Sequence, residues 1–405
     1  MDQPSTKGPL AGVRILDLTS VVMGPLATQI LGDMGADVIS VEDRSGDTNR
    51  SMGPALVDGM SGVAMNILRN KRSIGLDMKH PQGRQAVLDI AATCDVVATN
   101  LRPGPLGRLG LTYDHIKAVR PDIVFCRANG YPSDGPDADA PAYDDIIQSG
   151  SGIGDLFVRL GQEPMLLPTL VADKVLGLTI ASAILGALFH RAVTGQGQEV
   201  EVPMIDVMRS FVLVEHGAGA IFEPPISSPG YPRILTPNRK PQRTADGWIN
   251  VLPYTGEHYK AVFEAGGRAD LLEDPRIATR SSRHANSDTL YSELAKILLG
   301  RTTDQWLDFC KTNGIPATRA ASLDDLVAQL PVVEHPELGR YRQIPPPIRF
   351  AATPASVRRH ASMLGQDGID VLSEVGYSED QIGDLMAADV LFGYETARIE
   401  GQEPA

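Results

Sequence analysis

Asp173 is the carboxylate best placed for covalent chemistry in this chain: it opens a long apolar run, from Lys174 and Val175 to Phe189, that closes in the polar string from His190 to Val200. An acid in the first turn of a buried helix can be held in one place by backbone N–H groups while apolar neighbours thin out water. Those conditions suit a nucleophilic carboxylate. They equally suit a plain helix N-cap, and the residues alone leave both readings open. A second set is basic. Arg44, Lys79, Arg102 and Arg108 all fall in loops after β-branched runs, where strand ends and loop amides converge and several cations can face one polyphosphate. Solvated surface cations are the plain alternative for each of them.

Other chemistries find little support. A dinucleotide fingerprint needs G-x-G-x-x-G directly after a strand, and here the first β-branched run enters Ser20-Val-Val-Met-Gly-Pro instead, so no nicotinamide cofactor is expected. The sequence has no P-loop, no G-x-S-x-G elbow and no H-E-x-x-H pair. The acidic stretch from Asp134 to Asp145 lacks the closing bidentate Glu of a calcium loop. Cys94, Cys126 and Cys310 are scattered, without a C-x-x-C pair, and read as reduced, buried thiols. No metal is expected. With 37 Lys plus Arg against 50 Asp plus Glu, the net charge of −13 disfavours nucleic acid and anionic membrane as partners, so an anionic ligand requires a local basic pocket. The first ten residues lack the pattern of a signal peptide, and the apolar run 175–189 is shorter than the ~20 residues of a membrane span. A soluble, cytoplasmic protein is expected.

The elements that must position these residues alternate. Short β-branched runs at Val13, Asp37, Asp95 and Asp122 are separated by helical stretches beginning near Pro25, Pro81 and Tyr113, the pattern of parallel strands with crossover helices in an open α/β sheet. Ligands of such sheets sit at the carboxyl ends of strands, after Thr19, Glu42, Asn100 and Ala128. A proline-rich piece from Pro224 to Pro232 and a second cluster at Pro345 mark boundaries. The expected layout is a large α/β domain over 1–222, a linker over 223–243, a smaller α+β domain over 244–330, and a return over 331–405 that completes the large domain, with the tail 366–393 forming two short helices.

An ordered set of landmarks then resembles the family III coenzyme A transferases. It comprises Pro9-Leu-Ala-Gly-Val-Arg-Ile-Leu-Asp-Leu-Thr, Met23-Gly-Pro, Gly35-Ala-Asp-Val-Ile-Ser-Val-Glu, Asn70-Lys-Arg-Ser-Ile and Arg102-Pro-Gly, followed by Thr194-Gly-Gln-Gly-Gln-Glu-Val, Ala245-Asp-Gly-Trp-Ile and Glu374-Val-Gly-Tyr-Ser-Glu-Asp-Gln-Ile. The resemblance runs in order along essentially the whole chain. It implies an open, mostly parallel Rossmann-like sheet, an interlocked homodimer as the self-partner, and acyl-CoA and a carboxylic acid as substrates, with coenzyme A in the place of a cofactor.

The family pattern of an Asp four residues ahead of a Gly matches Asp173 and Gly177. By implication Asp173 attacks the acyl-CoA thioester and passes through aspartyl anhydride and aspartyl-CoA thioester stages. The resemblance places coenzyme contacts at Val22, Met23, Arg44, Leu76, Lys79, Asn100, Leu101, Arg102 and Arg108, with Tyr143 and Asp144 beside the active site. The arginine expected directly after Glu42 is Asp43 here, with Arg44 one place later. Backbone N–H groups beside Asp173 are the natural oxyanion donors, and 148–154 is a candidate mobile flap. Arg239, Lys240 and Arg243 are candidates for an acceptor carboxylate. Two alternatives stay open. One is a 2-methylacyl-CoA racemase of the same fold, although the position of its basic His is Tyr143, a poor base at neutral pH with an unperturbed pKa near ~10. The other is a CoA-binding protein without turnover.

Overall fold

The protein's computed structural model describes residues 8–393; the parts of the expected domains that fall on 1–7 and 394–405 lie outside the described residues. In chain order the strands are β1 (Arg14–Leu18), β2 (Asp37–Glu42), β3 (Lys71–Leu76), β4 (Val96–Thr99), β5 (Val124–Arg127), β6 (Glu199–Glu201), β7 (Gln242–Arg243), β8 (Trp248–Val251), β9 (Ala317–Arg319), β10 (Val332–His335), β11 (Gly339–Arg342) and β12 (Leu391–Phe392). Seven of them form one sheet in the order β12-β3-β2-β1-β4-β5-β6. All its pairings are parallel except that of β12 with β3. The order reverses between β1 and β4, so the loops leaving these two strands open a crevice.

The alternation of side chains along the strands gives this sheet two unlike faces. Leu16, Ile39, Ile74, Val97 and Phe125 point into an apolar layer closed by Val87, Ile116, Val371 and Leu385 from helices Pro81–Ala92, Tyr113–Val119, Gly368–Glu374 and Glu379–Ala387. Between them, on the same strands, stand buried polar groups. Lys71 reaches Asp17 at 2.9 Å, and Arg50 grips both oxygens of Glu42 at 2.6 Å. Burial pushes the Glu42 carboxyl up, but the Arg50 guanidinium and the Ser73 hydroxyl outweigh it and hold it below the usual range.

The chain divides into two compact units, and these are not the sequence-based domains. The first runs to Ser151 and takes in Leu167–Arg209 and the chain from Leu330; the second is Gly152–Leu166 with Ser210–Gln329. Residues 152–166 and 210–222, expected in the large domain, thus belong to the second unit, as does the expected linker 223–243. The reason is that these segments have partners there. Arg159 Nη1 donates to Pro229 O (2.7 Å), Thr236 Oγ1 to Asp288 (2.6 Å) and Gln242 Nε2 to Asn238 O (2.6 Å). Proline richness marked a tethered loop rather than a free linker. The second unit has its own antiparallel sheet, β7-β8-β9, and a core of Ile249, Val262, Phe263, Leu294 and Trp306. The tail holds the two expected helices and, beyond them, the unforeseen β12.

The apolar run after Asp173 is part of a 24-residue helix, Val171–Thr194, longer than its sequence pattern suggested. With a mean hydropathy of 1.7 it is long and apolar enough to cross a membrane by length and composition. In the fold Leu176, Ile180 and Ile184 are buried, and the helix packs on helix Met23–Asp33 and on β5.

Candidate active site

The crevice is built from the carboxyl ends of β1 and β4. The Asn100 side chain clamps the chain leaving β1, accepting from Ser20 N–H (3.0 Å) and donating to Ser20 O (2.8 Å). The next residue, Val21, has φ of +70°, a left-handed conformation that β-branched side chains seldom adopt. It is held there because its N–H donates to Asp47 Oδ1 (3.1 Å) and its carbonyl accepts from Asn49 Nδ2 (2.8 Å). Burial pushes the Asp47 carboxyl up to about 6 despite the N–H groups of Asn49 and Val21 that favour its charged form. Two glycines then permit close approach. A Cβ on Gly24 would lie 2.3 Å from the Thr19 side chain, and one on Gly177 would lie 2.8 Å from Leu26. Gly177 therefore lets helix Val171–Thr194 lie against the start of helix Met23–Asp33, bringing Asp173 to the crevice.

Asp173, 7% exposed, lines a cleft of about 290 Å³ with Ser20, Val21, Asn100, Arg102 and Tyr143. It is not the N-cap. Leu170 holds that position without a side-chain cap, and Asp173 is the third helical residue, its carboxylate accepting no hydrogen bond among the described residues. Nor are the N–H groups of Asp173 and Lys174 free as oxyanion donors: that of Asp173 donates to Asp144 Oδ2 (3.0 Å) and that of Lys174 to Leu170 O (3.2 Å). Burial, and then the charge of Asp144, push the Asp173 carboxyl from its ordinary 3.8 up to about 7. Asp144 is itself held by Gln148, whose amide donates to Asp144 Oδ1 and to Thr169 O (3.2 Å) and accepts from Leu167 N–H (2.9 Å). Fully buried and tied at both ends, Gln148 is no part of a mobile flap. It lies inside one helix (Asp144–Gly150), and Gly152, at φ +94°, caps the start of another (Ile153–Arg159).

A carboxylate in this environment titrates near neutrality. We expect kcat/KM for acyl-CoA to rise with pH to a plateau above an apparent pKa of about 7. Asp144→Asn should move that limb down by about one pH unit; a limb that stays in place in this variant refutes the coupling.

A second cleft, about 820 Å³, adjoins the first through the shared residues Leu101 and Pro105. Its walls carry Arg44, Lys79, Arg84 and Arg108, with the buried Leu76 as floor and Phe392 of β12 at its edge. A buried carboxylate at one end of the joined clefts and four cations at the other fit a thioester carried on a long polyanion. Residues 10–368 match the profile of CoA-transferase family III. The chain belongs to this family. It is 31% identical to the succinate–glutarate CoA-transferase of Agrobacterium fabrum, over 92% of this chain and 97% of that one. It is 30% identical to the mouse succinyl-CoA:glutarate CoA-transferase, over 96% and 91%. A crystal structure of a CAIB/BAIF family protein from Brucella suis superposes with a TM-score of 0.77 at 29% identity, covering 91% of this chain and all of that one. The protein is thus an enzyme, a CoA-transferase acting on CoA-linked substrates.

Of the residues expected to contact coenzyme A, Met23, Asn100, Leu101, Arg102 and Tyr143 line the cleft of Asp173, and Arg44, Leu76, Lys79, Leu101 and Arg108 line the larger one. Two do not line either. Val22 is buried among Met60, Ala64 and Leu68, because the turn at Val21 directs it inwards. Asp144 is buried and acts on the site through the Asp173 N–H. Arg44 is partly engaged: it pairs with Asp389 (2.7 Å) and lies 4.3 Å over the Phe392 ring. Arg239 and Lys240 line a cavity of the second unit, and Arg243 lies over Trp248 there. Sequence reasoning missed Val21, Arg84, Asn129 and Phe392, which line the two clefts. Arg84 was legible as one more cation after β3; Phe392 was not, since two residues of strand leave no periodicity. Among the described residues no group of three or more His, Cys, Asp or Glu side chains is placed to hold a metal ion.

Proposed function

We propose that this CoA-transferase moves CoA from an acyl-CoA donor to a carboxylic acid acceptor with Asp173 as the covalent nucleophile. The observation that carries this is the Asp173 carboxyl itself: buried at a cleft wall, without a hydrogen-bond donor to weaken it, and with a pKa raised to about 7. A more basic carboxylate is a better nucleophile toward a thioester. Its oxygen bonds to the thioester carbon and the C–S bond breaks, leaving an acyl–aspartyl anhydride and CoA thiolate. The thiolate then attacks the Asp173 γ-carbon and expels the donor acid. The acceptor carboxylate reverses the sequence, and Asp173 is released as the carboxylate it began as. Every step exchanges one anion for another, so no proton need move.

A dicarboxylate donor–acceptor pair is the first to try, because the relatives above are named for succinyl-CoA and glutarate. The self-partner is read as an interlocked homodimer. In its support, helix Val171–Thr194 leaves a stripe of Leu178, Ser182, Gly186, Phe189 and Val193 exposed, with open space at Gly186.

The test is chemical. After incubation with succinyl-CoA and hydroxylamine, peptide mapping should find Asp173 converted to its hydroxamate, and only when the acyl-CoA is present. No modification at Asp173 sinks the covalent route. Uptake of deuterium from heavy water at the α-carbon of a 2-methylacyl-CoA, without any acceptor acid, would instead favour the racemase.

A further inference from the structure

The second unit holds a cluster of cations that the transfer chemistry does not use. Arg233, Arg280, Arg283 and His284 surround a cavity of about 20 Å³ whose remaining wall includes Tyr254, Tyr259 and the buried Ser287. In the same unit Arg268 pairs with Asp270 (2.8 Å) and Glu293 (2.6 Å), and Arg276 with Asp274 (2.7 Å). None of the three around the cavity pairs with a carboxylate among the described residues. Asp288, the acid nearest in sequence, is occupied by the Thr236 hydroxyl and the Asn238 amide. Two of the guanidiniums are fixed over aromatic rings, Arg233 over Tyr254 (5.5 Å) and Arg283 over Tyr259 (4.5 Å). Arg283 is braced further by donating to Ile277 O (3.1 Å) and Ala278 O (2.9 Å). In a chain of net charge −13, three guanidiniums without a carboxylate partner among the described residues, converging on one cavity, make a local positive field.

We propose that this cavity is an oxyanion site, which takes one phosphate or carboxylate group between Arg233, Arg280, Arg283 and the tyrosine hydroxyls. Planar guanidiniums meet such groups with paired N–H donors; the cavity admits one oxygen of the group, and the exposed Arg280 lines it from the solvent side. His284 reports on the field. Burial, then Arg233, Arg280 and Arg283, depress its pKa below the ordinary value, and a bound anion must relieve that depression.

The full-length enzyme is titrated with inorganic phosphate at constant ionic strength, and in a parallel series with succinate, while the His284 ring signals are followed by NMR. Saturable binding should raise the His284 pKa, with the phosphate and succinate arms telling which oxyanion the site prefers. Arg280→Gln, which removes an exposed side chain, should weaken this binding at least tenfold and leave CoA exchange unchanged without added anion. His284→Asn identifies the signal. The proposal is overturned if neither anion moves His284 at concentrations up to tens of millimolar. It is also overturned if Arg280→Gln binds as wild type does, which places the anion at another site. A shift of the oligomeric equilibrium in Arg280→Gln, with no response of His284 to either anion, overturns it in favour of a carboxylate supplied by a second copy of the chain.

Discussion

Asp173→Asn is expected to lower CoA exchange by at least about 10³-fold and at the same time to make the protein more stable above neutral pH. The first effect follows because the amide can neither attack the thioester nor accept the acyl group. The second follows from linkage. The Asp173 carboxyl titrates near 3.8 when unfolded and at about 7 in the fold, so between these values the native state holds more protons and its stability falls as pH rises. Above pH 7 the wild type carries the whole penalty of a buried, unsolvated charge beside Asp144; Asn never acquires it. The ceiling set by the two pKa values is about 4 kcal/mol, which relaxation and water entry reduce to on the order of 2 kcal/mol. Urea unfolding of both proteins at pH 4, 6 and 8 checks the sign: the Asn variant should gain steadily on the wild type across the series. Equal stability at pH 8 contradicts the buried, raised carboxyl, and residual exchange above one part in a hundred contradicts its role as nucleophile.

Lys71→Met should cost about 3–5 kcal/mol in the same measurement, a loss large enough to threaten folding. Lys71 is 2% exposed and Asp17 0%. The ammonium donates to Asp17 Oδ2 (2.9 Å) and to Pro25 O (2.9 Å), tying β3 to β1 and to the first turn of helix Met23–Asp33. Asp17 also accepts from the hydroxyl of Thr28 and from Thr19 N–H (3.0 Å), so the pair sits directly beneath the turn that carries Ser20 and Val21. Methionine fills the volume but strands a carboxylate in the interior, and that stranded charge dominates the cost. Adding Asp17→Asn to Lys71→Met removes the stranded charge and should restore more than half of the loss. A single variant as stable as the wild type would mean that the pair is solvated after all.

The two cases differ in how much the chain displayed beforehand. The sheet was legible because β-branched runs alternate with helical stretches, and the apolar helix with Asp173 at its head was legible by the same periodicity. That Asp17 and Lys71 stand on the polar side of the sheet was not, since a parallel strand buried on both faces shows no clean alternation. The expected strand-end loops converge as parallel topology requires, which is why Arg44, Lys79 and Arg108 meet in one cleft. What pattern reasoning could not reach is contact across long separations. Asp144 and Asp173 are joined by one N–H···O bond that neither segment's own pattern announces. Val22 failed for a local reason: one residue at positive φ turned it from the cleft to the core.

The position of β12 bears on how the enzyme is made. It pairs with β3 through Leu391 and Phe392, and the return segment before it supplies Ser362 O to Arg50 and Ser356 O to Asn70. The nascent chain delivers β1 to β6 first and must then synthesise the larger part of the second unit, Ser210–Gln329, before these groups emerge. At about 5–20 residues per second that interval lasts on the order of 10–40 s. Throughout it the wall holding Phe392 is missing, and Arg50 and Asn70 wait for their carbonyls. The Asp173 carboxylate is therefore synthesised well before the larger cleft can be finished, and β12, the last strand among the described residues, is the one that completes its wall.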